Sequence, residues 1–315
     1  MSCVAYPHLF DFLFMMWFFL AISSACFLGI YDVAKKISLK GNAVLPVLMI
    51  NTVVCALFFM PLIVQSFVSS DSVLPRADGV AHALVFVKAI IVLSSWVCGY
   101  YAIKHLPLTI VGPINATRPV MTLVGALLIF GERLNPWQWA GVCIAILSLY
   151  LLSRTGKKEG IRFSRNYWIL LLLAAALLGA ASGLYDKFLM SPVEVGGAGL
   201  NRWFVQGWYN TYQALLMTSV MLFIWMPTRH NSTPFRWRWS ILLISVFLTA
   251  ADMAYFYALT DPDAMISIVS MVRRGSVLVS FLFGAIYFKE KHLGAKAFDL
   301  FLILIGMLCL YIGTV

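Results

Sequence analysis

The stretch PLTIVGPINATRPVMTLVGALLIF, residues 107–130, decides the fold. It is apolar apart from one arginine near its middle, Arg118, and it is long enough to cross a ~30 Å hydrocarbon core as a helix. A second stretch, residues 262–288, carries Arg273 and Arg274 near its middle. A charge at the centre of a spanning helix costs roughly 2.5–3.5 kcal/mol to insert, so these three cost on the order of 8–10 kcal/mol before compensation. Such residues are expected to face a cavity or a partner rather than lipid. Guanidinium forks suit carboxylates and phosphates. The two stretches therefore predict a membrane protein with a positively charged central cavity.

The rest of the chain has the same character. Its 315 residues are 62% hydrophobic and 11% charged, whereas a soluble domain is about half apolar and a quarter charged. Ten apolar runs read as spanning helices, here spans 1–10: residues 10–34, 43–67, 80–104, 107–130, 136–153, 167–189, 203–227, 237–258, 262–288 and 293–314. Only helices or closed barrels cross lipid, and runs this long and apolar are helices. The expected fold is an all-α membrane protein with ten transmembrane helices. No loop is long enough for a second domain. The net charge of +10 is scattered over short loops, which reads as topology and not as nucleic-acid binding. The loops after odd-numbered spans, with the span ends beside them, carry fifteen lysines and arginines, against four in and beside the even loops and at the two ends. That count places both termini outside. No basic residue precedes the first run, so it reads as a retained helix rather than a signal peptide.

The six cysteines form no CxxC pair and have no histidine set beside them, so they read as packing thiols, and neither a metal nor a cofactor is expected. The five histidines are dispersed, and G-x-S-x-G, H-E-x-x-H and Walker motifs are absent. Enzyme and ATP-driven readings are therefore disfavoured.

The most polar linker, around residues 154–166, holds Arg154, Lys157, Lys158, Arg162 and Arg165 and divides the chain into 1–153 and 167–315. The two parts repeat one another. Gly29-Ile-Tyr31-Asp32 matches Gly183-Leu-Tyr185-Asp186, and Tyr101-Ala-Ile matches Tyr257-Ala-Leu at an offset of 156, the same offset that relates Arg118 to Arg274. Glu132-Arg133-Leu134 corresponds to Glu290-Lys291 plus Leu293. Five spans per repeat is an odd number, so the repeats must have opposite orientation. Inverted repeats characterise secondary transporters, whose binding sites lie near midplane at the repeat interface.

The quoted stretch, continued through Gly131-Glu132-Arg-Leu-Asn-Pro-Trp-Gln-Trp-Ala-Gly141, resembles the EamA-type repeat of the drug/metabolite transporter superfamily. The second half resembles it more loosely, with Lys289 in place of the glycine and Gly275 where Pro119 stands. The resemblance implies ten helices, a central cavity lined mainly by spans 1–4 and 6–9, and alternating access. It also implies cytoplasmic termini, against the charge count. A narrower likeness is to the phosphate translocators of this superfamily, which carry a basic residue in the fourth helix and a Lys-Arg pair in the ninth. Here Arg118 and Arg273-Arg274 occupy similar places, the first of the pair being arginine.

Candidate site residues follow from helical spacing. Asn115 shares a face with Arg118, along with Gly112, Thr122 and Gly125, and Pro113 and Pro119 are expected to interrupt that helix. Arg274 shares a face with Ser270 and Ser267, whereas Arg273 is turned about 100° away. Asp252 is the obvious internal partner for one of the pair. Lys88, inside span 3, reads as an anion or proton ligand or as a snorkelling lysine. Trp96 and Tyr101 on that helix, with Tyr257, read as cavity or packing aromatics. Gln206, Asn210 and Gln213 share a face of span 7, suited to a polar solute or to helix–helix bonding. Tyr31 and Tyr185 recur near helix ends and are placed to line or gate the cavity. Asp32 is read as pairing with Lys35 or Lys36, and Glu132 and Glu290 as turn residues.

The function expected from these readings is secondary transport of a small anionic metabolite, by exchange or export, with midplane arginines binding the anion. The alternatives are an exporter of amino acids or amphipathic compounds with its arginines in ion pairs, a flippase for an anionic lipid carrier, and an intramembrane enzyme or scaffold. The expected partners are a small molecule and the bilayer, with no nucleic acid and no obligate protein. Compactness and bare termini fit a bacterial inner membrane.

Overall fold

A computed structural model describes residues 7–68, 73–130, 134–158, 160–163, 165–231, 233–260, 269 and 272–313. The helices are α1 (Pro7–Leu39), α2 (Val44–Val68), α3 (Gly79–His105), α4 (Leu108–Ala116), α5 (Arg118–Phe130), α6 (Pro136–Lys158) and α7 (Tyr167–Met190). They continue with α8 (Arg202–Val220), extended by a π-helical turn at Met221–Trp225 and a short helix at Met226–Thr228. Then come α9 (Ser240–Thr260), α10 (Ser276–Ile286) and α11 (Leu293–Ile312). Among the described residues, each apolar run of the sequence lies largely on helix. Among the described residues, six helices are each long and apolar enough to cross a membrane. Span 4 is divided into α4 and α5.

Local signals fix several ends. Asn135 and Gln138 form a reciprocal capping box at the start of α6, each side chain accepting from the other's backbone N–H (2.9 and 3.0 Å), with Pro136 at the first helical position. Asp78 caps α3 by accepting from Ala81 N at 2.9 Å, and Asn201 caps α8 by accepting from Trp203 N at 2.8 Å. Phe67, Leu128, Phe223 and Ile286 point outward and are exposed, as lipid-facing side chains are. In such a bundle small residues bring backbones together. A β-carbon on Gly29 would lie 2.4 Å from Val279 Cβ, and one on Gly141 would lie 2.7 Å from the Gly306 carbonyl.

The extensive helix contacts pair α1 with α9, α3 with α7, α6 with α11 and α2 with α8. Each pair joins the two halves of the sequence. Serines lace these seams: Ser24 Oγ donates to Ala251 O (2.7 Å) and Ser95 Oγ to Ala175 O (2.8 Å).

The face bearing the α3–α4 turn is closed by a polar latch. Glu290 accepts from the backbone N–H of Leu108 (2.8 Å) and Thr109 (2.9 Å) and from the Thr109 hydroxyl, so it caps α4 from the other half of the chain. Lys36 Nζ donates to the last carbonyls of α3, Ile103 (2.7 Å) and Leu106 (2.5 Å). Lys296, fully buried, donates to Thr109 Oγ1 at 2.9 Å. Glu290 thus acts as a turn residue that also caps a helix of the other half of the chain. Its counterpart Glu132 lies outside the described residues. Glu290→Gln replaces an anionic acceptor with an amide whose NH2 faces other donors. It is expected to lower stability by about 1–3 kcal/mol, measured as a lower melting temperature of the purified protein.

Candidate functional site

The break between α4 and α5 falls at Thr117. Pro113, expected to interrupt the helix, is instead accommodated inside α4. Pro119 has no N–H to return to the preceding turn. The chain there tightens: Thr117 N and Oγ1 both donate to Ile114 O (3.2 and 2.7 Å). Arg118 and Pro119 then occupy the first two positions of α5, where a proline is tolerated. A matching interruption occurs at Gly275, which is followed by Ser276 at the start of α10. Here Gly275 N donates to Val272 O at 2.9 Å. Spans 4 and 9 run in opposite senses in the repeat reading. The N-terminus of α5 and that of α10 both border one central cavity, through Arg118 and Ser276.

This cavity has a volume of about 350 Å³, at the lower end of the ~300–1,000 Å³ usual for small-molecule sites. Of the candidate residues, it gathers Arg118, Arg273, Arg274, Asn115, Tyr31 and Trp96. It also takes in Asp32, Lys35, Ser95, Tyr100 and Tyr255, which were not candidates. The Asp32–Lys35 pair was legible from spacing and forms at 2.6 Å. Its place in the cavity wall was not legible, because an i,i+3 pair fits a solvated helix face equally well.

The three arginines differ. Arg273 is paired with Asp252 and lies over the Tyr255 ring at 4.5 Å. Arg274 is exposed to the cavity. Arg118 rests on span 6, where a β-carbon on Gly179 would lie 3.1 Å from its guanidinium carbon. Its Nε is buried without a hydrogen-bond partner among the described residues, as is Asn115 Oδ1. Arg118, Arg273, Arg274 and Lys35 stand against Asp32 and Asp252, which leaves two positive charges uncompensated among the described residues.

The remaining candidates lie elsewhere. Lys88 is buried in an ion pair with Asp186 (2.7 Å), its ammonium 4.7 Å from the Tyr209 ring centre, so it does not snorkel to the interface. Tyr185 donates to Leu84 O at 3.1 Å. Asn210 is buried and donates to Gln206 O one turn back in the same helix at 2.8 Å, a bond that joins no second helix. Tyr101 packs against the main apolar cluster. Tyr257 is 65% exposed on the outer surface, which corrects its reading as a cavity residue. Ser270 and Ser267 lie outside the described residues.

Comparison with known proteins agrees with this architecture. One crystal structure, described only as that of a protein, superimposes with a TM-score of 0.58 at 16% identity over 92% of this chain and 94% of that one. This is a likeness of fold. Curated proteins give no match. Residues 15–154 match the model of the EamA-like transporter family. The match covers less than half of the chain, and together with the apolar helices it marks an integral membrane protein that is similar, over that part, to EamA-like transporters.

Proposed function

We propose that the protein is a secondary transporter for a small anionic metabolite, bound at midplane between Arg118 and Arg274 and moved by alternating access. The observation that carries this reading is the meeting in one cavity of two helix N-termini and two guanidinium groups that have no carboxylate partner among the described residues. The N-terminal end of a helix carries about half a positive charge and unpaired N–H groups, a natural anion site. Discontinuous helices aimed at a midplane anion are a recurring transporter device. The amino-acid exporter reading asks for every arginine to be capped, and among the described residues only Arg273 is.

Two inverted five-helix repeats, 1–153 and 167–315 with a basic linker between, are part of this proposal. The packing supports it: exchanging α1 with α7, α2 with α8 and α3 with α9 turns the α1–α9 contact into α7–α3 and the α2–α9 contact into α8–α3, both present. In this reading Asp186, the repeat partner of Asp32, and its ion-paired Lys88 enter the cavity wall in the opposite state. The orientation proposed from charge has both termini outside a bacterial inner membrane. A C-terminal phosphatase fusion is expected to be active and a C-terminal fluorescent fusion dark; the reverse pattern reverses the orientation.

The test is a thermal-shift screen of the purified protein against phosphorylated, carboxylated and zwitterionic metabolites. A ligand that binds only the folded state at 100 times its Kd adds about 2.7 kcal/mol of stability. Anions are expected to raise the melting temperature and zwitterions not to; the anion reading is lost if no anion does so. Gly179→Val puts a side chain against the Arg118 guanidinium. The flexible arginine moves away, so the thermal shift given by an anion is expected to shrink about as much as for a tenfold weaker Kd. The melting temperature without ligand is expected to change little.

A further inference from the structure

We infer that the transported anion carries a hydrogen-bond donor, in effect a hydroxyl group, close to its charged end, and that Asn115 reads it. The inference rests on the anion reading above and adds the chemistry of the neighbouring group.

Arg118 and Asn115 are three residues apart, on either side of the helix break at Thr117, and both line the cavity. Their unsatisfied atoms are of opposite kinds. Arg118 Nε only donates, and Asn115 Oδ1 only accepts. A carboxylate or a fully ionised phosphate offers acceptors alone. Placed against Arg118 and Arg274, it satisfies the guanidinium groups but sets its own lone pairs beside the Asn115 oxygen. If the next atom of the ligand is a methylene, that oxygen also loses access to water and stays buried without a partner. A hydroxyl on the first or second carbon from the charged group donates to Asn115 Oδ1, while the anion takes the arginines.

The wall around the pair fits the rest of such a molecule. Ser95 donates its hydroxyl hydrogen to Ala175 O at 2.8 Å, so its oxygen faces the cavity as a further acceptor. Tyr31 and Trp96 present ring surface suited to the C–H faces of a short carbon skeleton. The ligand class is therefore a hydroxycarboxylate or the phosphate ester of a polyol. Both present a doubly charged or singly charged head with an adjacent hydroxyl.

The experiment measures Kd for two matched pairs on the purified full-length protein: malate against succinate, and glycerol 3-phosphate against propyl phosphate. Within each pair the main change is the loss of hydroxyl groups, and comparison of the pairs tells a carboxylate head from a phosphate head. In at least one pair the hydroxylated member is expected to bind about tenfold tighter or more, because a buried acceptor left unpaired is costly. Asn115→Leu is expected to erase that preference while leaving the affinity for the deoxy member within about threefold. Asn115→Ala serves if the leucine variant does not fold. Equal affinity of both members in each pair for the wild-type protein overturns this inference and leaves the anion reading standing. Failure of all four compounds to bind overturns both. A preference that persists in a folded Asn115 variant overturns the assignment to Asn115.

Discussion

Arg118→Gln is expected to weaken anion binding severely and stop transport while the fold stays intact, whereas Arg273→Gln is expected to damage the fold. Arg118 has no ion pair to lose among the described residues, and its Nε is buried without a partner. Replacing it removes a costly buried charge, so stability is expected to hold or rise slightly. Each charge-assisted bond to a desolvated anion contributes roughly 1.5–3 kcal/mol. Loss of the forked contact therefore weakens binding by about tenfold at the least, and by far more if both arms of the fork engage. Arg273 is different, because it neutralises Asp252 between α9 and the middle of span 9, just before α10. Leaving that carboxylate unpaired at low exposure costs about 3 kcal/mol or more. The check is a pair of measurements on each variant: the melting temperature without ligand, and anion uptake by proteoliposomes. Normal transport by Arg118→Gln would sink the proposed function.

Gly29→Leu is expected to yield no monodisperse protein. A β-carbon there meets Val279 Cβ at 2.4 Å and the Ser276 carbonyl oxygen at 2.9 Å. The second obstacle is backbone, at the start of α10, and cannot rotate away. The helices must separate, and α10 carries one of the two N-termini at the cavity. The cost belongs to the exceptional class of about 4 kcal/mol or more, read as loss of the monomer peak in size-exclusion chromatography. Gly79→Ala is the control, because nothing lies within 4 Å of a β-carbon there. It is expected to be neutral or slightly stabilising.

The contrast between these two glycines shows where sequence reading stops. Gly29 lies inside an apolar run and Gly79 just before one, and neither position says what a β-carbon there would meet. Only the neighbour that each meets decides the outcome.

The sequence by itself determined the class of the protein and most of its helices. An apolar run of about twenty residues has one stable solution in lipid, a helix, because every backbone polar group must be satisfied within the segment. It also determined which residues are anomalous. Arginine at midplane depth is costly wherever it sits, so Arg118, Arg273 and Arg274 were legible without coordinates, as was the local Asp32–Lys35 pair. Helical periodicity fixes which side chains share a face, and so Asn115 came with Arg118.

Periodicity does not say which other helix that face meets. Tertiary structure alone decided that Arg273 is spent on Asp252 while Arg118 lies against Gly179, since both outcomes depend on helix rotation. It placed Lys88 on Asp186, about a hundred residues away, and turned Tyr257 outward. It put the break of span 4 at Thr117 rather than at Pro113, because one missing ladder bond inside α4 is tolerated. It made Glu290, an ordinary turn residue by its neighbours, the cap of a helix from the other half of the chain. Contacts between segments far apart in the chain are set by how whole helices pack, and no short window of sequence carries that information.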